Sequence, residues 1–266
     1  MRLKNKVIII TGSTTGIGKG IARRCVAEGA HVLIHGLEAA WADALLLELG
    51  EESAAVCICD LADEASPRLL VHTALSRFGR IDGIVNNAAK VASSDISSTD
   101  LAYLQGMFNI NSTAPLMLIR EALPELAKSK GAVLNIGSVN AYSGEPNLLA
   151  YSMSKGALMT MTRNLGDSLL RTLGVRVNQI NPGWVLTENE ADRKRKHGLA
   201  DDWYKELPDV YAPAGRLLSP AEIAAAAIYW LSDESGPVSG QVVDLEQYPF
   251  IGRNPPKDSS TLPQKQ

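Results

Sequence analysis

The sequence predicts one α/β domain, a doubly wound parallel sheet of about seven strands with helices on both faces. Three observations predict it. Short β-branched runs alternate with longer helical patterns along the chain, an order that right-handed strand–helix–strand crossovers satisfy. The first run, Val7-Ile8-Ile9-Ile10, has no polar side, as a central parallel strand covered on both faces requires. That run leads through Thr11-Gly12-Ser13-Thr14-Thr15-Gly16-Ile17-Gly18 straight into a helical pattern, so a glycine-rich turn joins the first strand to the first helix.

In order, strands are expected over 7–10, 31–34, 55–59, 83–85, 132–136, 176–180 and 241–245, each a short run carrying valine, isoleucine or both. Between them, helices are expected over 18–28, 38–49, 63–78, 100–128, 149–173 and 220–231, where the period lengthens. There is no repeat and no linker, so residues 1–250 read as a single domain. Two stretches break the alternation. Residues 188–213 are polar and follow a strand end, where α/β proteins place ligand-covering lids. Residues 251–266 hold Pro255, Pro256 and Pro263 and read as an extended tail.

The net charge of −3 gives no electrostatic reason for a nucleic acid or an anionic membrane as partner. The basic run Arg193-Lys194-Arg195-Lys196 lies among Glu188, Glu190, Asp192, Asp201 and Asp202 and reads as a solvated helix face before a phosphate site. Three cysteines without zinc spacing and four scattered histidines suggest no metal. Cys57 and Cys59 alternate along a strand and share a face, which suits a core as well as any chemistry. No signal peptide or bilayer-length apolar run is visible, so the expected compartment is the cytoplasm.

Gly12 can take backbone angles closed to other residues. Gly16 and Gly18 let a backbone approach a pyrophosphate and let the helix pack on the sheet, and the helix N-terminus adds unpaired N–H groups. Asp60 closes the third strand, and Asn86-Asn87-Ala88-Ala89 follows the fourth. In a doubly wound sheet these carboxyl ends line one crevice. Tyr151 and Lys155 are one helical turn apart on one face, 13 residues after Ser138 at the end of the fifth strand. A phenol titrates near pH 10, too high for a base at neutrality. An ammonium about 4 Å away, at an effective dielectric of 20, contributes roughly 4 kcal/mol toward lowering it.

Together these residues resemble the short-chain dehydrogenase/reductase family over about residues 5–245. The resemblance implies a Rossmann-like fold, hydride transfer between a nicotinamide cofactor and a secondary alcohol or ketone, and a catalytic set of Asn111, Ser138, Tyr151 and Lys155. It casts Ser138 as substrate orienter, Tyr151 as general acid/base, Lys155 as the group that lowers the tyrosine pKa and binds the nicotinamide ribose, and Asn111 as support for a water leading to the lysine. It implies cofactor contacts from Gly12, Thr14, Thr15, Gly16, Ile17, Gly18, Gly36, Leu37, Asp60, Leu61, Asn87, Ala88, Ala89, Tyr151, Lys155, Pro182, Gly183, Val185 and Thr187. Asp60 would meet the adenine, and Asn181-Pro182-Gly183 with Thr187 the carboxamide. The family's Asn-Asn-Ala-Gly ends here in Ala89, and its Val-Asp-Gly-Gly is replaced by Val243-Asp244-Leu245-Glu246. Relatives commonly form tetramers.

At His35-Gly36-Leu37-Glu38 no cation awaits the 2′-phosphate of NADP and Glu38 opposes one, so NAD is favoured over NADP although the usual ribose-binding acid is also missing. The substrate is expected near Ser138, Asn140, Glu145, Tyr151 and Trp184. Lys90, Glu188 and Asn189 add to a polar surround, and a sugar, sugar acid or cyclitol would satisfy it. A 3-oxoacyl thioester is the alternative substrate, and a non-catalytic NAD(P)-sensing regulator the alternative class. Enoyl reductase relatives space their tyrosine and lysine further apart than Tyr151 and Lys155.

Overall fold

The computed structural model describes residues 1–251, so all of the expected tail beyond Ile251 lies outside the described residues. In chain order the elements are β1 (Val7–Ile10), α1 (Gly16–Ala27), β2 (His31–Gly36), α2 (Ala39–Leu49), β3 (Ala54–Ile58), α3 (Ser66–Phe78) and β4 (Gly83–Asn86). Then come α4 (Leu101–Phe108), α5 (Ala114–Ser129), β5 (Ala132–Ile136), α6 (Leu149–Leu173), β6 (Arg176–Pro182), α7 (Glu188–Lys196), α8 (Pro220–Leu231) and β7 (Val242–Leu245). The seven strands form one sheet in the order β3-β2-β1-β4-β5-β6-β7, every pair parallel.

Side chains alternate across this sheet, which explains the unbroken apolar run of β1. Ile8 and Ile10 join a core with Ile21, Leu45 and Ile228 from α1, α2 and α8. Ile9 enters a second core with Leu70, Leu118 and Ala122 from α3 and α5. All three isoleucines of β1 are wholly buried, each such burial stabilising by about 1.5–3 kcal/mol. The order reverses at β1, between β2 and β4, and the crevice opens at the strands' carboxyl ends there.

Two expected helices differ most from what forms. The helix expected over 100–128 is two helices joined by a π-helical turn, Asn109–Thr113. Pro115, which has no N–H for an interior turn, starts α5 just beyond it. The third helix starts at Ser66, with Pro67 in its first turn, because 60–65 are spent on Asp60 and Asp63 side chains accepting the N–H groups of Ala62 and Ala65. Among the described residues no helix is long and apolar enough to cross a membrane, and no group of three or more histidine, cysteine or acidic residues could hold a metal.

Candidate active site

The glycine loop is shaped by what presses on it. A Cβ on Gly12, whose φ is +60°, would lie 2.9 Å from the Ala88 Cα. One on Gly16, at φ +52°, would lie 3.1 Å from the Thr187 Cγ2, and one on Gly18 would lie 2.3 Å from the Gly12 oxygen. Gly18 therefore serves the packing of the helix against its own loop. Thr11 Oγ1 accepts the N–H groups of Asn87 (3.0 Å) and Ala88 (3.1 Å), and Asn87 Nδ2 donates to the carbonyls of Thr11 and Gly12, both at 2.9 Å. Ala89 follows, exposed.

Thr15 caps α1 without a side-chain bond, and the amide of Gly16 donates instead to Glu188 Oε2 at 3.1 Å. An acidic group from α7 thus sits at the positive end of α1, where backbone amides draw an anion. Thr14 packs on Gly36, where a Cβ would come within 2.6 Å of Thr14 Cγ2, and Leu37 is exposed. Ile17 packs at the edge of the α1-side core, and Leu61 is buried on the α3 side.

At the other end, Ser138 follows β5. Its Oγ accepts the Asn140 N–H at 3.1 Å, and its own N–H donates to Asn181 Oδ1 at 3.1 Å. Gln179 Nε2 donates to the same oxygen at 2.7 Å, and Asn181 Nδ2 donates to Asp244 Oδ1 at 3.0 Å, so β6 and β7 together set the place of Ser138. Tyr151 and Lys155 lie on α6, 8% and 2% exposed. Lys155 Nζ donates to the Ile136 carbonyl at 2.7 Å and stands 5.8 Å from the centre of the Tyr151 ring. Asn111, wholly buried in the π turn, accepts the Lys90 N–H (2.8 Å) and donates to the Lys90 carbonyl (3.0 Å) and to Ser154 Oγ (2.9 Å). The unusual turn directs this amide inward, a placement that π turns often provide at functional sites.

Burial acts on both groups of the Tyr151–Lys155 pair. Burial pushes the Tyr151 hydroxyl above its ordinary value. The Ser138 hydrogen bond and the charge of Arg193 pull against this, whereas Glu145 and Glu190 add to it. Burial also lowers the Lys155 ammonium, to about 8, and the group donates to the Ile136 carbonyl.

Trp184, half-buried just past β6, has partners from several segments. Its N–H donates to Glu246 Oε2 (3.0 Å), its indole Nε1 to Glu190 Oε1 (2.8 Å), and it stacks on Trp203 at 5.3 Å with the Lys194 ammonium 5.0 Å from its ring centre. These contacts tie it to α7 and to the residues just past β7. Glu190 also pairs with Arg193. The basic run is therefore not simply a solvated face, since Arg193 is turned inward enough to act on Tyr151. Val185 is buried in the α1-side core, and Thr187 caps α7 by accepting the Glu190 N–H at 3.1 Å. A Cβ on Gly183 would overlap the Glu246 carboxylate. Gln247 accepts the Ala214 N–H (2.9 Å) and donates to the Arg216 carbonyl (2.7 Å), so residues just past β7 tie down both ends of the lid segment. Sequence reasoning noticed the departure at Glu246 but assigned it nothing.

Beside Ser138, Asn140 is buried and its Nδ2 reaches Glu145 Oε1 at 3.4 Å. They edge a recess of about 430 Å³ with Tyr142, Ser152 and Met153. Pro182 ends β6, and Lys90 is exposed with its ammonium 5.6 Å from the Tyr103 ring centre.

Comparison with known proteins agrees with this architecture. Residues 12–246 match the family model described as Enoyl-(Acyl carrier protein) reductase. An L-fucose dehydrogenase of Bos taurus is 34% identical over 87% of this chain and 85% of its own length. A meso-2,3-butanediol dehydrogenase of Serratia marcescens is 27% identical over 92% of this chain and 95% of its own. Among solved structures, a short-chain dehydrogenase/reductase SDR: glucose/ribitol dehydrogenase from Brucella melitensis superposes with a TM-score of 0.83 at 27% identity, covering 92% of this chain and 96% of that one.

Proposed function

The chain belongs to the short-chain dehydrogenase/reductase family and is an NAD(P)-dependent oxidoreductase acting on CH–OH groups, and on that premise we propose that Tyr151 is its general acid/base, working on a polyhydroxylated substrate with NAD. The observation that carries the reading is the convergence of Ser138, Tyr151, Lys155 and Asn111 at the carboxyl ends of the strands beside the glycine loop. When bound, the nicotinamide dinucleotide supplies or accepts the hydride. Gly12 to Gly18, Asp60, Asn87 to Ala89, Lys155 and the segment Pro182 to Thr187 would hold it. Ser138 orients the substrate oxygen. Tyr151, kept protonated by its burial, gives its proton to that oxygen in reduction and recovers it in oxidation. Asn111 holds the Lys90 turn and Ser154, and through them the position of Lys155 on α6.

The cofactor preference rests on the end of β2, where Thr14 packs on Gly36, Leu37 carries no charge and Glu38 precedes α2. A 2′-phosphate finds no cation among residues 35–38. The substrate class rests on Asn140, Glu145 and Glu190 around the reacting oxygen, and the relatives named for fucose and for glucose or ribitol agree with it. The matched family model is named for enoyl reduction. The one-turn spacing of Tyr151 and Lys155 favours carbonyl chemistry instead. An absorbance screen at 340 nm of sugars, polyols and hydroxyacyl compounds with each cofactor tests all of this. Turnover confined to hydroxyacyl compounds, or to NADP, would overturn the corresponding part. Leu101, Leu116 and Met153, exposed on α4, α5 and α6, support assembly as a homotetramer, which a monomeric sedimentation mass would refute.

Glu188 provides a further expectation. Its carboxylate lies on the amide a cofactor phosphate needs, so Glu188→Gln removes a competing negative charge. Dinucleotide binding is expected to tighten about two- to fivefold, the size of one charge at a helix terminus, and to depend less on salt. Calorimetric titration at two ionic strengths checks it, and unchanged or weaker binding goes against it.

A further inference from the structure

Resting on the dinucleotide reading above, we propose that His35 is the positioning residue that holds the glycine loop in its binding shape. The ring is 3% exposed and lies between the loop after β1 and the end of β3. Its Nδ1 accepts the Gly12 N–H at 3.0 Å, and its Nε2 lies 3.0 Å from the Cys59 carbonyl oxygen. An amide N–H can only donate and a carbonyl can only accept. Both bonds therefore require one arrangement, with Nδ1 bare and the hydrogen on Nε2. The backbone of His35 is engaged as well: Ser13 N–H donates to its carbonyl at 2.8 Å, and its own N–H donates to Ser13 Oγ at 2.9 Å.

Gly12 is thus gripped at both of its polar groups, the N–H by His35 and the carbonyl by Asn87. It holds a φ of +60° with Ala88 directly against it. Losing the Nδ1 bond would leave a half-buried N–H without its protein partner and release the loop, and cofactor binding would then have to order it. The ring belongs to neither the catalytic set nor the expected cofactor contacts. It acts through Gly12.

The two ring nitrogens can be separated by substitution. In His35→Asn the side-chain oxygen takes the place of Nδ1 and keeps the Gly12 bond. In His35→Gln the amide nitrogen reaches the place of Nε2 and keeps only the Cys59 bond. Calorimetric titration with NAD is expected to show H35N within about threefold of the wild-type Kd and H35Q weaker by about tenfold or more. With saturating cofactor, kcat of H35Q should stay near wild type while its cofactor KM rises. On the unsubstituted protein, imidazole ¹⁵N shifts should place the His35 hydrogen on Nε2. A hydrogen on Nδ1, equal affinities for the two variants, or loss of fold in H35N would each overturn the proposal. Failure of the wild-type chain to bind either dinucleotide would overturn the reading it rests on instead.

Discussion

Tyr151→Phe is expected to lower kcat/KM by about 10³-fold, within the range by which a positioned general acid/base accelerates a reaction, while leaving dinucleotide affinity within about twofold. The substitution removes one oxygen from a ring already packed with Met107, Leu148 and Ala150, so the fold should be untouched. What disappears is the one hydroxyl that faces Ser138 and holds its proton at neutral pH. The direction of the shift makes the expectation sharper. Burial raises the hydroxyl above its ordinary value, so oxidation, which needs the proton acceptor, should quicken as pH rises. Steady-state rates in both directions, with cofactor binding measured separately, check the prediction. A variant that keeps a tenth or more of the activity would remove Tyr151 from the mechanism.

The parts of this site that could be read along the chain are those whose reason is local. The run Val7–Ile10 must be a central strand because nothing in it tolerates water, and Tyr151 and Lys155 share a face because helical geometry requires it. The long helix expected over 100–128 is interrupted for an equally local reason, Pro115. What could not be read is long-range. Glu188 reaches a glycine 172 positions earlier, and Glu246 reaches Trp184 across 62. The grip of His35 on Gly12 depends on which strand lies beside β1, and no spacing rule announces it. Trp184 is legible as an aromatic residue near a strand end, but its bond to Glu246 and its stacking on Trp203 are not.

Lys155→Met is expected to reduce kcat/KM by about 10²- to 10³-fold, the scale seen when one preorganised electrostatic group is removed, without reducing stability. The two halves share a cause. Burial brings the ammonium down to about 8, whereas in an unfolded chain it titrates near 10.4. Between those values the unfolded chain holds a proton that the folded one has released, so stability rises with pH through that window. Below it, the buried charge costs the folded state about 3 kcal/mol. Methionine removes that cost, and the loss of one bond to the Ile136 carbonyl offsets only part of the gain. Melting curves between pH 7 and 9.5 should therefore show the wild-type protein gaining stability relative to the variant as pH rises, with the variant melting no lower at pH 7. Parallel curves, or a variant much less stable at pH 7, would mean the lysine is held in its charged form by partners this geometry does not contain.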